Sequence, residues 1–330
     1  MVEKDYRKIM NDYLKNRDER ALYACQKLSR ILIEHDIAPE ECIQLHRQVM
    51  IENDASKEEL LSSFDILLEV MVGYGLAYRE HQSLRNKQIA LRNEIAVAAN
   101  MQQTLLSTSI PKIDGVDIGA ISVPAQQMNG DYYHFLKDEN GRIGIAIADV
   151  IGKGIPAALS MSMIKYSMDS MPDDRHNPNE ILESLNRVVE HNVDPSMFIT
   201  MCYGVYDPYT YTFRYSTAGH EPGFFYSAKE NKYEDFSGRG LLLGIQKRTR
   251  YREYQKKIEK NDMVILFSDG VSECRTEERF IEREDLLNYI DKYKHLSAEE
   301  IVTNIYKDLE RLQDFELRDD FTLIVLKRNK

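Results

Sequence analysis

The chain of 330 residues carries 54 acidic and 43 basic side chains, a formal charge of −11, and is 43% hydrophobic. That length and apolar content suit one large domain or two ordinary ones, each able to bury a core. The acidic balance argues against nucleic acid or an anionic membrane as the main partner, since both require a basic face.

The opening "MVEKDYRKIMNDYLK" is charged and lacks a long apolar core, so no signal peptide is expected. No run approaches the roughly 18 apolar residues of a membrane span, and a cytoplasmic location is the expectation. None of the 16 glycines precedes Gly73, and of the nine prolines only Pro39 precedes Pro111. Both residue types break helices, so the first 110 residues can be almost wholly helical. The remainder, filled with glycine, proline and short β-type runs, is a second, separately folded part.

In chain order, a first helix is predicted around Tyr6 to Leu14. Leu22, Cys25, Leu28, Leu32 and Ile33 recur at three to four residues and mark a second. Pro39 in "IAPEE" suits the start of a third, which carries Cys42, Ile43, Leu45, Val49 and Met50. "SKEE" at Ser56 has the form of a capping box and opens a fourth through Phe64, Leu67, Leu68, Met71 and Val72. Together these form a four-helix bundle of about 80 residues. His35 and His46 stand isolated in it, as surface or packing residues.

Residues 79–107 stay helical but are thinly apolar. A heptad frame places Leu84, Leu91, Ala98 and Leu105 at one core position and Gln88, Ile95 and Gln102 at the other. Two polar residues in three make a marginal coiled coil. Either a solvated connector or a switch, whose pairing persists only when something else stabilises it, fits this pattern.

Beyond residue 110 "VDIGAISVPA", "RIGIAIADV", "MFITMCYGVYD", "TFRYSTAGH", "GFFYS" and "DMVILFSDG" read as strands, with "KRTRYREYQKKI" a further exposed one. Helices are predicted near 155–171, 178–192 and 297–313. Strands adjacent in sequence imply antiparallel sheets with the helices as outer layers.

Acidic residues recur beside these strands: Asp131 in "MNGDYYHF", Asp149 ending "IAIADV", Asp269 ending "MVILFSDG", and Asp319 and Asp320 before "FTLIVLKR". A buried strand-end carboxylate is costly unless paired or bound to a cation. One could merely cap a turn. Several, each beside Gly or another Asp, point to a cluster around hard divalent cations such as Mg²⁺ or Mn²⁺. The "GKG" turn after Asp149 lacks the spacing of a nucleotide-binding P-loop. The four cysteines, at 25, 42, 202 and 274, have neither metal-knuckle nor redox spacing.

"GDYYHF", "IADVIGKG", "AGHEPGF", "LFSDGVSE" and "DDFTLIVL", in this order, resemble the PPM (type-2C) metal-dependent protein serine/threonine phosphatases, and more closely their SpoIIE-like bacterial branch. The resemblance spans residues 110–330. With "EVMVGYGLAYREHQSLR" before the linker, it extends over the whole chain to the phosphatases that regulate the sigma-B stress response.

This resemblance implies an α+β chain: a helical dimerisation and activator-binding domain (1–80), a linker helix (81–109) and a PPM-type α-β-β-α sandwich of two antiparallel sheets (110–330). Asp149 matches the metal-bridging aspartate and Asp131, Asp269 and Asp319 the flanking ligands. Val150 stands where the family supplies a backbone carbonyl, and Asp320 has a secondary place. Two or more Mn²⁺ or Mg²⁺ ions and direct hydrolysis of phosphoserine are implied. So are a phosphorylated STAS-domain anti-anti-sigma protein (RsbV-like) as substrate, an RsbT-like switch kinase as activator and a homodimer. No counterpart of the arginine that grips phosphate in eukaryotic members is present; Lys153 is the stand-in. His134 and His220 lie in motifs and could donate protons or shape their loops. Rival readings are a non-catalytic signalling scaffold with the same fold and a two-metal hydrolase of nucleotides.

Overall fold

A computed structural model describes residues 2–16, 19–35, 37–152, 154–171, 177–194, 197–236, 238–275 and 279–330. Lys153 lies outside them. Contacts divide the chain into two compact units, Met1–Asn93 and Glu94–Lys330.

The first unit is built from α1 (Val2–Asn16), α2 (Glu19–Glu34), α3 (Pro39–Glu52) and the N-terminal half of α4 (Lys57–Leu106). Tyr6 and Met10 of α1, Leu28 and Leu32 of α2, Cys42 and Val49 of α3, and Ile66 and Val70 of α4 form its core. His46 is a satisfied packing residue: one ring nitrogen lies 2.8 Å from the Tyr6 hydroxyl and the other 3.1 Å from that of Ser63. Burial holds its pKa below the usual range. The capping box forms as "SKEE" predicts, Ser56 Oγ accepting from Glu59 N and Glu59 Oε2 from Ser56 N.

The fourth helix and the linker are one helix of 50 residues. Gly73 does not break it. A Cβ there would run into the Ser29 side chain, so this glycine lets α2 and α4 approach closely. By length and composition alone α4 could cross a membrane, although charged residues interrupt its apolar run. Its charged residues are spaced along an otherwise apolar stretch that sends Ile66 and Val70 into the helical core, while Asp65 accepts from the Tyr13 hydroxyl at 3.0 Å.

The second unit contains, among the described residues, two five-stranded antiparallel sheets. One holds β1 (Val116–Val123), β6 (Gly223–Ser227), β7 (Lys232–Phe236), β9 (Met263–Phe267) and β10 (Phe321–Arg328), in the order β1-β10-β9-β6-β7. The other runs β2-β3-β4-β5-β8, from β2 (Asp131–Lys137), β3 (Ile143–Ile151), β4 (Phe198–Asp207), β5 (Thr212–Ala218) and β8 (Tyr254–Lys257). Ile145 and Ile147 of β3 meet Val264 and Ile324 of the opposite sheet in the central layer.

Outside one sheet lie α5 (Ile155–Asp169) and α6 (Pro178–Asn192), packing Met161, Ile164 and Leu185 on Ala146, Ala148 and Met201. Outside the other lie α8 (Arg283–Tyr293) and α9 (Ala298–Leu312), packing Ile290, Ile301 and Ile305 on Ile265, Leu323 and Val325. The four-layer α-β-β-α order is the expected one. Five details differ from the sequence expectation: β2, β7, α7 (Asp269–Ser272) and α8 are additional elements, and only Tyr254–Lys257 of "KRTRYREYQKKI" is strand. Sequence "KYEDF" of β7 has too few β-branched residues to stand out, and its place is set by the edge of β6.

Candidate metal centre

The second and third strands place Asp131 directly opposite Asp149 in antiparallel register. Asp131 begins β2 rather than ending a strand. Its carboxyl is buried, with Oδ2 lacking a hydrogen-bond partner among the described residues. Burial raises its pKa well above the usual carboxylate range; the hydroxyls of Ser268 and Thr322 oppose this, and the charges of Asp149 and Asp320 add to it.

The opposite sheet supplies the second pair. The ninth strand ends at Phe267, Ser268 follows, and Asp269 opens the one-turn helix α7 (Asp269–Ser272). Asp319 precedes the last strand. Burial raises the Asp269 pKa, and the neighbouring charges of Asp319, Glu273 and Asp320 raise it further. Asp320 thus acts on both pairs.

The two carboxylate pairs, one from each sheet, lie on either side of Asp320, whose charge acts on Asp131 of one and Asp269 of the other. Anionic carboxylates crowded in this way are unfavourable without a counter-charge. Oxygen donors and an unpartnered buried Oδ2 suit a hard divalent cation. The side chains are not already closed around one point: among the described residues no set of three or more acidic, histidine or cysteine groups is so arranged.

Around the carboxylates the backbone is tightly specified. A Cβ at Gly130 would lie 3.2 Å from Asp320 Oδ2 and 3.7 Å from Asp149 Oδ1, so only glycine leaves that space open. Gly154 has φ +80°, the left-handed turn that starts α5. Val150 sits in the core, its N–H donating to the Gly130 carbonyl at 3.2 Å.

Asp320 proves to be more than secondary. Its carboxylate accepts from Ala125 N at 2.7 Å and Gly130 N at 2.5 Å, stringing the β1–β2 loop to the last strand. Neither histidine is placed as an open proton donor. His220 is buried, Nδ1 lying 3.0 Å from Thr200 Oγ1, and burial pushes its pKa down to about 4. His134 lies 3.0 Å from Asp169 at the end of α5 and stacks on Tyr132. Gln102 is no coiled-coil core position: it is buried against the Asn129 backbone.

Sequence reasoning also missed a rim. A pocket of about 270 Å³ is lined by Asp319, Arg318, Arg275, Glu273, Gln313 and Phe280, among others. Arg318 is adjacent to Asp319 in sequence, a signal that was available. Arg275 is not: its guanidinium lies over Phe280, 5.6 Å from the ring centre, which needs the fold.

The family model described as Stage II sporulation protein E (SpoIIE) matches residues 139–329, and that described as phosphoserine phosphatase RsbU, N-terminal domain, matches residues 4–77. Phosphoserine phosphatase RsbU of Bacillus subtilis is 55% identical over 329 residues, covering 99% of this chain and 98% of that protein. The chain belongs to the SpoIIE family of PP2C-type phosphatases, in its RsbU branch. The SpoIIE-family fold is also found in solved structures. The SiaA PP2C domain of Pseudomonas aeruginosa has a TM-score of 0.62 at 15% identity, covering 74% of this chain and 99% of that one. The PP2C domain of SpoIIE from Bacillus subtilis gives 0.52 at 19% identity, covering 66% and 64%.

Proposed function

We propose that the chain is a metal-dependent protein serine phosphatase acting on the phosphoserine form of an STAS-domain, RsbV-like anti-anti-sigma protein. It is switched on by an RsbT-like kinase and so favours sigma-B activity in a cytoplasmic partner-switching pathway. Asp131 and Asp149 in facing register, and Asp269 beside Asp319, with the charge of Asp320 acting on both pairs, carry this reading.

In it, Asp131, Asp149, Asp269 and Asp319, with the Val150 carbonyl, would hold the metal ions, Asp149 in the shared role that the family resemblance implies. Two Mn²⁺ or Mg²⁺ ions held there would supply an acidified water and neutralise charge on the phosphate. Arg318 and Arg275 on the rim beside Asp319 orient the phosphoserine oxygens, a task for which guanidinium is suited. No side chain is needed as nucleophile. Cys274 is buried, and burial pushes its thiol up to about 11, leaving it protonated near neutral pH.

Residues 1–80 serve as the dimerisation and activator-binding domain, 81–109 as linker and 110–330 as phosphatase domain. Apolar residues exposed on α3 and α4, among them Ile43, Ile51, Leu60 and Phe64, support an interaction role for the first of these. Leu84, Leu91 and Leu105 are 59%, 57% and 53% exposed in the single chain, a stripe that helix pairing would cover.

The test is phosphate release from the phosphoserine anti-anti-sigma protein in Mn²⁺, with and without the RsbT-like activator, beside Asp269→Asn. Release that requires metal, Asp269 and activator is expected, with the variant at least about 10³-fold slower. Wild-type turnover in Asp269→Asn would remove the site assignment. Absence of release throughout would favour a scaffold, and release from nucleotides alone a nucleotide hydrolase.

A further inference from the structure

The loop 124–130 that leads into Asp131 is held by two side chains from elsewhere in the unit. One is Asp320 of the metal cluster. The other is Gln102, near the C-terminal end of α4. Its Nε2 donates to the Asn129 carbonyl at 2.6 Å, and its Oε1 accepts from Asn129 N at 3.0 Å. A primary amide thus pairs with both faces of one peptide position, and Gln102 is buried while doing so.

Asn129 passes this placement onward. Its Nδ2 donates to Ser122 Oγ at 2.8 Å, and its Oδ1 accepts from Asp131 N at 2.9 Å. The next residue, Gly130, is held through N–H by Asp320 and through its carbonyl by Val150 N. The path from Gln102 to the Asp131 backbone is therefore two hydrogen-bonded steps long. The helix end that carries Gln102 is anchored nearby: Leu106 packs on the core beside β2, and Thr108 Oγ1 accepts from Phe135 N at 3.2 Å.

We propose that Gln102 is a positioning residue for the metal site, setting the Asn129–Asp131 backbone so that the Asp131 carboxylate is presented to a cation. The inference rests on the metal-dependent reading above. Its mechanism is pre-organisation. A glycine-containing loop with no regular structure would sample many Asp131 orientations, and the buried amide selects one. Methionine at this position would keep the volume and the helix while removing both hydrogen bonds.

The experiment uses the full chain and needs no substrate. Mn²⁺ binding is titrated calorimetrically for wild type, Gln102→Met and Gln103→Met, the last being an exposed neighbour on the same helix. Backbone hydrogen exchange at Asn129 and Gly130 is followed in the metal-free proteins. Gln102→Met is expected to weaken Mn²⁺ binding roughly 10–100-fold, the loss usual when a group supporting a metal ligand is removed. Exchange at Asn129 should quicken, and Gln103→Met should match wild type. Gln102→Glu, which keeps the acceptor and loses the donor, should also weaken binding and guards against misfolding of the methionine variant. Binding by both Gln102 variants within twofold of wild type, or an equal loss in Gln103→Met, would overturn the inference and leave the phosphatase reading standing. Failure of wild type itself to bind Mn²⁺ would overturn both.

Discussion

His220 sits in the motif "AGHEPGF", yet it is tied beside Thr200 and kept neutral by burial. Its pKa falls from 6.5 to about 4 on folding. Between those values the unfolded chain takes up a proton that the folded chain refuses, so the stability it contributes is present above pH 6.5 and lost as pH falls toward 4. At pH 5 the loss is about 2 kcal/mol by this linkage. Urea midpoints at pH 7 and pH 5 should show a steeper acid destabilisation for wild type than for His220→Gln. Equal slopes would mean that the ring is not buried neutral. The carboxylates behave in the opposite sense. Asp131 and Asp269 are each pushed up by burial and by neighbouring acidic groups, so ionising them in the folded chain calls for a cation.

At the scale of elements, α9 shows how local sequence and sheet packing divide the work. Ser297 caps it, accepting from Glu300 N at 3.3 Å while Glu300 Oε2 accepts from Ser297 N at 3.0 Å, a start signal written in four residues. Where the helix docks is decided by β1. Asp117 Oδ2 accepts from Ala298 N at 2.8 Å, and Gly119 lies so close that a Cβ would meet the Ala298 backbone carbonyl. Backbone cannot yield as a side-chain tip can, so Gly119→Ala should cost about 1–3 kcal/mol. For a unit of this size that lowers the melting temperature by roughly 2–4 °C per kcal/mol. An unchanged melting temperature would show that α9 slides freely on β1. Helix α8 carries a similar box between Glu282 and Asp285, but with Glu in place of the usual Ser or Thr it lacks the pattern that marks a helix start in sequence.

At the scale of the whole molecule, α4 belongs to both compact units, since the division at Asn93–Glu94 falls within it. Gln88 is exposed on it, within the heptad frame and between Leu84 and Leu91. Gln88→Leu should strengthen pairing of two chains, read by sedimentation, and raise turnover without activator by something within the roughly 5–150-fold typical of coupled sites. Stronger pairing with unchanged turnover would discard the linker as a switch. The helical first part, the α-β-β-α second part and the five acidic positions were legible because they are properties of short segments. Glycine and proline distribution, strand-like runs and motif order reach no further than neighbouring residues. Sequence periodicity could assign Gln102 only to a heptad seam, since a helix pattern records which face a residue occupies and not what packs there. Tertiary structure alone decided that Gln102 grips Asn129, that Asp320 strings the loop to β10, and that Arg275 shares a pocket with Asp319. Each of these joins residues more than 25 positions apart, and their proximity exists only once distant strands have paired and α4 has docked on the loop before β2.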